Sequence, residues 1–133
     1  MSAAVLPAPP AFRFGPVTRH DLVRYAGASG DFNPLHYDDA FARSAGLPGV
    51  MAHGMFSAGL VGSFLAAWVE DRRVRRFKLR FRSPVWPGDI LHATGSVVRT
   101  YQVDEGELAE LLLKLGRQDG SEVVTAMAEV ECE

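Results

Sequence analysis

The spacing of apolar residues along the chain changes near residue 70. Between Met55 and Val69 almost every position is apolar or small, which predicts a long helix that is covered on several sides. From Val74 onward apolar and basic residues alternate, and this period of two predicts a strand with one buried face. The residues on the apolar side are Phe77, Leu79, Phe81 and Val85. The pattern therefore predicts a helical first half and a sheet in the second half.

Three further strands are expected, at residues 90–102, 108–118 and 122–131. Turns separate them, and Asp119-Gly120 is the stronger of the two turn signals between these strands. The run Leu111-Leu112-Leu113 interrupts the alternation, so a helix up to about Leu115 remains an alternative for the second of these strands. One long apolar helix and several antiparallel strands make an α+β layer architecture.

Two shorter helices are predicted before the long one. Thr18, followed three positions later by Asp21, matches an N-cap and its partner at the start of a helix that continues to about residue 28. Asp38 or Asp39 can cap a second short helix that continues to residue 45. The second of these helices is expected to act as scaffold.

Length and composition indicate a single globular domain. The 133 residues are 47% hydrophobic, enough for one core over residues 11–133, whereas prolines at 7, 9 and 10 predict a flexible arm over residues 1–10. A single cysteine, Cys132, excludes an internal disulfide and fits a reducing cytoplasm. The apolar stretch 55–69 is shorter than the ~20 residues of a membrane span, and no secretory signal is evident. We therefore expect a soluble cytoplasmic protein.

The strongest chemical signal follows the first predicted helix. In Asp31-Phe32-Asn33-Pro34-Leu35-His36 a carboxylate and an imidazole lie on either side of a proline. Because proline biases Asn33 away from helical backbone, Asp31 and His36 are expected on a non-helical turn that can direct both side chains into one space. A carboxylate and an imidazole that share one water molecule are sufficient to add water to a double bond or to remove it.

Together with Ala52-His53-Gly54-Met55, this segment resembles the hydratase motif of the MaoC-like, (R)-specific enoyl-CoA hydratases. That family includes the related 3-hydroxyacyl-ACP dehydratases. The similarity is densest from Tyr25 to Trp68 and continues more weakly through residues 81–89. It implies the hotdog fold, in which a curved antiparallel sheet wraps around a central helix. It also implies that two such units pair, as a homodimer or with a homologous subunit.

The resemblance implies roles for individual residues as well. Asp31 and His36 are the pair that holds the reacting water, and the Gly54 N–H, at the start of the long helix, donates to the thioester oxygen as it becomes enolate-like. No metal or redox cofactor is implied, and coenzyme A or the phosphopantetheine of an acyl carrier protein carries the substrate. Hydratases of the family often have a serine two turns into the central helix, where this chain has Gly62, so a roomier acyl pocket is expected.

Several neighbouring residues are candidates for contact with the substrate, namely Asn33, His53, Met55 and Ser57. A local turn role for Asn33, a structural hydrogen bond for His53 and a core position for Met55 are the simpler interpretations. Histidine and aspartate side chains in this region do not have the usual metal-ligand spacings, so no metal site is expected.

The basic residues are concentrated in one predicted strand. Half of the 14 Lys and Arg residues lie between Arg72 and Arg82. Alternating cations suit a solvated outer face; alternatively, Arg76, Lys78 and Arg80 attract an anionic carrier, either coenzyme A or an acyl carrier protein. Aromatic residues are not interleaved on that face, so nucleic-acid binding is not expected.

The sequence thus predicts a hydro-lyase that interconverts a trans-2-enoyl thioester and a (3R)-3-hydroxyacyl thioester. Two alternatives remain open. One is a hotdog acyl thioesterase, which would handle the same class of substrate. The other is a subunit whose activity appears only in a heterodimer, as the catalytic subunit of a 3-hydroxyacyl-ACP dehydratase.

Overall fold

The computed structural model describes residues 6–133, which form one sheet, three helices and a 3₁₀ turn. In chain order the elements are β1 (Phe12–Phe14), α1 (Arg19–Ser29), the 3₁₀ turn (Pro34–His36), α2 (Asp39–Ser44), α3 (Gly54–Val69), β2 (Val74–Phe81), β3 (Leu91–Val103), β4 (Gly106–Arg117) and β5 (Glu122–Glu131). All strand pairs are antiparallel, and the strand order is β1-β3-β4-β5-β2. The expected α+β architecture is confirmed. None of the helices within residues 6–133 has the length and apolarity needed to cross a bilayer.

The central helix α3 packs one face on strands β4 and β5. Val61, Phe64 and Trp68 on that face are fully buried, and burial of side chains of this size contributes about 2–3 kcal/mol each. The indole ring of Trp68 lies against Gly95 of β3, where a Cβ atom would overlap the ring. Glycine is therefore required at this point of the strand so that the helix can approach the sheet.

The first described residues also pack on this core. Leu6 is buried, and the Pro7 carbonyl accepts a hydrogen bond of 2.8 Å from the Trp68 indole N–H. A buried indole N–H requires an acceptor, so the chain is held at this point. The flexible arm expected over residues 1–10 therefore does not extend to residues 6 and 7, and residues 1–5 of that prediction lie outside the described part of the chain.

The two shorter helices begin at their capping residues. The Thr18 hydroxyl accepts the Asp21 N–H at 3.0 Å, and the Asp21 carboxylate accepts the Thr18 N–H at 2.8 Å, which completes a capping box at α1. At α2 the N-cap is Asp38, whose carboxylate accepts the Phe41 N–H at 3.1 Å. The carboxylate of Asp39 is therefore available for other contacts.

The leucine run in the second half of the chain forms strand β4 and not a helix. Leu111, Leu113 and Leu115 are fully buried, while Leu112 is half-buried on the opposite, outer face and is paired with Met127 of β5. Because β4 has a hydrogen-bonded neighbour on each side, and because Leu112 has an apolar neighbour, tertiary context outweighs the local helical preference of leucine.

Two surfaces that the sequence predicted to be buried are exposed in this chain. On α3, which was expected to be covered on several sides, Gly59, Ser63 and Ala66 face away from the sheet and are exposed. On β2, Phe77 and Phe81 are 39% and 51% exposed, because β2 is an edge strand and α3 lies mainly over β4 and β5. The prediction of a fully buried apolar face on β2 is therefore wrong for the chain by itself.

Candidate active site

The segment after α1 folds into two successive turns that side chains stabilise. Gly30 ends α1 with φ 74°, a left-handed conformation that glycine adopts without strain. Asp31 Oδ1 then accepts the Asn33 N–H at 3.2 Å, and Asn33 Oδ1 accepts the Leu35 N–H at 3.0 Å. One carboxylate oxygen of Asp31 is thus used by the backbone, and Oδ2 is free to face His36.

His36 ends the 3₁₀ turn, a single helical turn within the segment that was expected to be non-helical. Its Nδ1 donates a hydrogen bond of 2.7 Å to the main-chain carbonyl of Met51. Because a carbonyl can only accept, the proton of the neutral ring lies on Nδ1 and the lone pair lies on Nε2. Nε2 is 4.0 Å from Asp31 Oδ2, a gap too long for a direct hydrogen bond and suitable for a bridging water.

A second imidazole supports this pair. His53 is 2% exposed and stacks on His36, with ring centroids 3.6 Å apart and planes inclined by 22°. Its Nε2 donates a hydrogen bond of 3.0 Å to the main-chain carbonyl of Asp31, while its Nδ1 is buried without a partner among residues 6–133. Tyr25 of α1 meets the ring edge-on at 4.9 Å. His53 therefore fixes both the backbone of Asp31 and one face of the His36 ring.

The central helix begins directly after His53, so the positive end of its dipole lies beside the two imidazoles. Among the described residues, neither the Gly54 N–H nor the Met55 N–H has a hydrogen-bond acceptor. The Phe81 ring covers this helix end, and a Cβ at Gly54 would lie 3.4 Å from it. A carboxylate, an imidazole, free N–H donors and an aromatic ring are thus brought together in one corner of the fold, beside the start of α3.

The other residues predicted to contact the substrate differ in burial and in the contacts they already make. The amide oxygen of Asn33 is occupied by the turn, and Ser57 is buried one turn into α3. Met55, beside Gly54, is 60% exposed. At Gly62 no atom outside the local helix lies within 4 Å of the place a Cβ would take, so space is left where a serine side chain would project.

The basic residues of β2 do not join this corner. They lie on the outer face of the sheet, because they alternate with Phe77 and Phe81, which share the face of the buried β5 residues. Among residues 6–133 no carboxylate oxygen lies within 4.0 Å of the charged groups of Arg76, Lys78 or Arg80. A groove of about 550 Å³ runs along this face, and its lining residues include Lys78, Arg80, Leu112 and Met127.

The same corner contains a set of side chains with the right atoms for a metal ion. One ligand atom from each of Asp31, His36 and His53 lies within 4.8 Å of the others. A metal ion binds in the plane of an imidazole ring, and the planes of two stacked rings do not converge on one point. In addition, His53 Nε2 is already used by the Asp31 carbonyl. The arrangement therefore suits proton transfer better than metal coordination.

Two contributors to the site were not found from the sequence. The Met51 carbonyl acts through the main chain, which no side-chain pattern reveals. Phe81 was assigned to the buried face of a strand, and only its place at the start of the second, weaker stretch of resemblance pointed toward the site. Both become visible only when the loop before α3 and the end of β2 are seen together.

Comparison with known proteins identifies the family to which the chain belongs. The family model of the MaoC like domain matches residues 7–114. The chain is 31% identical over 108 residues to the mitochondrial 3-hydroxyacyl-[acyl-carrier-protein] dehydratase FERN of Solanum lycopersicum. The matched region covers 81% of this chain and 66% of that protein. The chain is 43% identical over 74 residues to the fatty acid synthase subunit beta of Aspergillus oryzae. The matched region covers 53% of this chain and only 4% of that subunit's length.

Solved structures show the same fold. The (R)-hydratase from A. caviae involved in PHA biosynthesis superposes with a TM-score of 0.80 at 28% identity, over 97% of this chain and 98% of that one. The ChsH1-ChsH2 complex from Mycobacterium tuberculosis has a TM-score of 0.78 at 23% identity, over 96% of this chain and 97% of that one, a likeness in fold. The hotdog fold expected from the resemblance is thus confirmed, and the chain belongs to the MaoC-like family of hydratases and dehydratases.

Proposed function

We propose that the protein is a hydro-lyase that interconverts trans-2-enoyl thioesters and (3R)-3-hydroxyacyl thioesters. The observation that carries the proposal is the separation of 4.0 Å between Asp31 Oδ2 and His36 Nε2, beside the start of α3. A water molecule in this gap is hydrogen-bonded to an acid and a base at once. The family relationship supports the reaction class, and the A. caviae (R)-hydratase supports the stereochemistry.

In the hydration direction the water oxygen forms a bond to the β-carbon while the π bond between the α- and β-carbons breaks. One member of the Asp31–His36 pair takes a proton from the water, and the pair delivers a proton to the α-carbon. Because either group can take or give a proton, the acid–base role is assigned to the pair. The buried imidazole, with its lone pair on Nε2, and the half-exposed carboxylate complement each other in this transfer.

The negative charge that develops on the thioester oxygen is stabilised at the N-terminus of α3. The Gly54 N–H is free to donate, and a preorganised donor of this kind contributes about 3–4 kcal/mol to the transition state in other enzymes. Glycine allows the substrate to approach the backbone, and Met55 and Ser57 lie next along the helix. The reaction as written requires neither a metal ion nor a redox cofactor.

The test is an assay of the purified chain with crotonyl, longer and ring-bearing enoyl thioesters on coenzyme A and on an acyl carrier protein. Loss of absorbance of the enoyl thioester without release of free thiol is the expected result. Release of free thiol with an intact double bond would instead identify an acyl thioesterase and overturn the proposal.

The carrier is proposed to bind along β2. Arg76, Lys78 and Arg80 have no carboxylate partner among the described residues, and Lys78 and Arg80 line a groove whose walls also include Leu112 and Met127. Changing all three to Gln should raise KM at low salt and leave kcat unchanged, since unscreened cations accelerate association with an anionic partner. The matched control, Arg13, Arg24 and Arg43 changed to Gln, removes the same charge elsewhere. Equal KM in both variants would leave the cations of β2 without a role in carrier binding.

A second hotdog unit is proposed to cover the exposed side of the chain. The edge strand β2 has unpaired backbone groups along its free side, together with Phe77 and Phe81, and the outer face of α3 is lined by small residues. A second copy is the preferred occupant, with a homologous subunit as the alternative, as in the ChsH1-ChsH2 complex. Light scattering should show a dimer that Phe77→Glu dissociates, and a monomer that is fully active would contradict this.

A further inference from the structure

A carboxylate outside the site holds the loop on which both imidazoles depend. Asp39, the first residue of α2, accepts the Val50 N–H at 3.1 Å through Oδ1. Its Oδ2 forms an ion pair of 2.8 Å with Arg19 of α1. Gly49 lies against the same carboxylate, since a Cβ there would be 3.3 Å from Oδ1. Asp39 therefore connects both scaffold helices to the loop that precedes α3.

The residues after Val50 supply the main-chain contacts of the site. The Met51 N–H donates to the Leu35 carbonyl at 3.1 Å, and the Ala52 N–H donates to the Val85 carbonyl at 2.8 Å. The Met51 carbonyl is the acceptor for His36 Nδ1, and His53 follows two residues later. The Asp39–Val50 hydrogen bond therefore adds a side-chain contact to these main-chain contacts, one residue before the carbonyl that determines where the His36 proton lies.

We propose that Asp39 is a positioning residue, which holds Val50 and Met51 so that His36 keeps its proton on Nδ1 and presents Nε2 to the reacting water. The effect on rate rests on the hydro-lyase proposed above, whereas the effect on the imidazole rests on the contacts alone. The sequence offered Asp38 or Asp39 as the cap of α2, and Asp38 takes that role.

The charge state of Asp39 suits this function. The hydrogen bond from the Val50 N–H is the largest cause that lowers the pKa of Asp39 below its ordinary value; burial opposes it, and the ion pair with Arg19 and the nearby charge of Arg43 lower the pKa further. The carboxylate is therefore charged at neutral pH. An ionised carboxylate is a stronger acceptor than a protonated one, so the charged form of Asp39 is the form that holds the Val50 N–H.

The central experiment compares Asp39→Ala with Asp39→Asn and Asp38→Ala. Asp39→Ala removes the acceptor for Val50 and should lower kcat about 10- to 100-fold with little change in KM, the penalty expected for a displaced catalytic group. Asp39→Asn keeps an oxygen for the Val50 N–H and should recover most of the rate. Asp38→Ala removes the cap of α2 without touching the loop, and kcat should stay close to that of the wild type.

The second measurement is ¹⁵N NMR of the imidazole nitrogens, which reports the tautomer directly. Wild-type His36 should be protonated at Nδ1, and Asp39→Ala should show a mixture of tautomers while Asp38→Ala does not. An unchanged tautomer and an unchanged kcat in Asp39→Ala would overturn the proposal. If Asp39→Ala does not fold, Gly49→Ala, which crowds the carboxylate without removing it, should give the same mixture. A tautomer change in a protein without hydratase activity would support the positioning role and contradict the proposed function.

Discussion

Two aspartates of this fold have contrasting environments. The Asp31 side chain is 54% exposed, and the backbone occupies only one of its oxygens. Asp89, after β2, is 5% exposed and has donors on both oxygens. Its Oδ2 accepts the Trp86 N–H at 2.8 Å and pairs with Arg117 Nε at 3.0 Å, while its Oδ1 accepts from Gln118 at 2.9 Å.

The difference separates a carboxylate that can react from one that holds structure. A saturated, buried carboxylate has no lone pair left for a substrate, and its protonation would break several hydrogen bonds at once. Asp31 has one fixed oxygen, which sets its direction, and one free oxygen within reach of His36. Burial alone would have selected Asp89 as the functional residue, whereas the count of free acceptor positions selects Asp31.

The largest expected effect is on the reaction rate, when the Asp31–His36 pair is changed. Asp31→Asn and His36→Ala should each lower kcat about 10²- to 10⁴-fold, since each removes one member of the acid–base pair. The denaturant midpoint should change little in Asp31→Asn, because the turn still has an oxygen for the Asn33 N–H. Turnover close to that of the wild type in either variant would remove the mechanism.

The next largest effect is on the free energy of unfolding, when the buried carboxylate of Asp89 is removed. Asp89→Ala should lower the free energy of unfolding by about 3 kcal/mol, because it leaves Arg117, whose side chain is 20% exposed, without its partner. Urea denaturation measures the loss, and kcat per folded molecule should remain unchanged. If this variant were stable but inactive, the distinction between the two aspartates would be reversed.

The smallest effects come from removing one polar neighbour of each aspartate. Asn33→Ala deletes the acceptor for the Leu35 N–H and should lower both kcat and stability modestly, by about 1 kcal/mol in the latter. Gln118→Ala deletes one donor to Asp89 and should lower stability by a similar amount, about 1 kcal/mol, with no effect on kcat. Equal effects of the two variants on kcat would show that the turn at Asn33 does not orient Asp31.

Local patterns predicted most of the elements of this fold. The apolar run before residue 70 and the period of two after it correspond to α3 and to the strands, and Thr18 with Asp21 marked the start of α1 correctly. Leu111–Leu113 left strand and helix open, because only the pairing of β4 with β3 and β5 decides between them. The exposure of Phe77 and Phe81 could not be predicted, since the alternation of apolar and polar residues does not reveal the order of the strands in the sheet.

The side-chain groups of the candidate site could be predicted from the sequence, whereas its main-chain contacts could not. Asp31 and His36 lie on one short motif, and the structure places Asp31 Oδ2 4.0 Å from His36 Nε2. The spacing of His53 from this motif gave no hint that its ring stacks on His36, because that contact depends on how the loop before α3 returns to the turn. The contribution of Asp39 is one step further removed, through Val50.

The hydrogen bond from His36 to the Met51 carbonyl has a consequence for how this enzyme tolerates sequence change. The protonation pattern of the imidazole is specified by a peptide oxygen that all twenty amino acids possess. Because the Met51 N–H also donates to the Leu35 carbonyl, residues other than proline keep both main-chain groups at this position. A scan of alanine substitutions would pass over the Met51 carbonyl, whereas an amide-to-ester replacement between residues 51 and 52 weakens that oxygen as an acceptor and also removes the Ala52 N–H that donates to Val85.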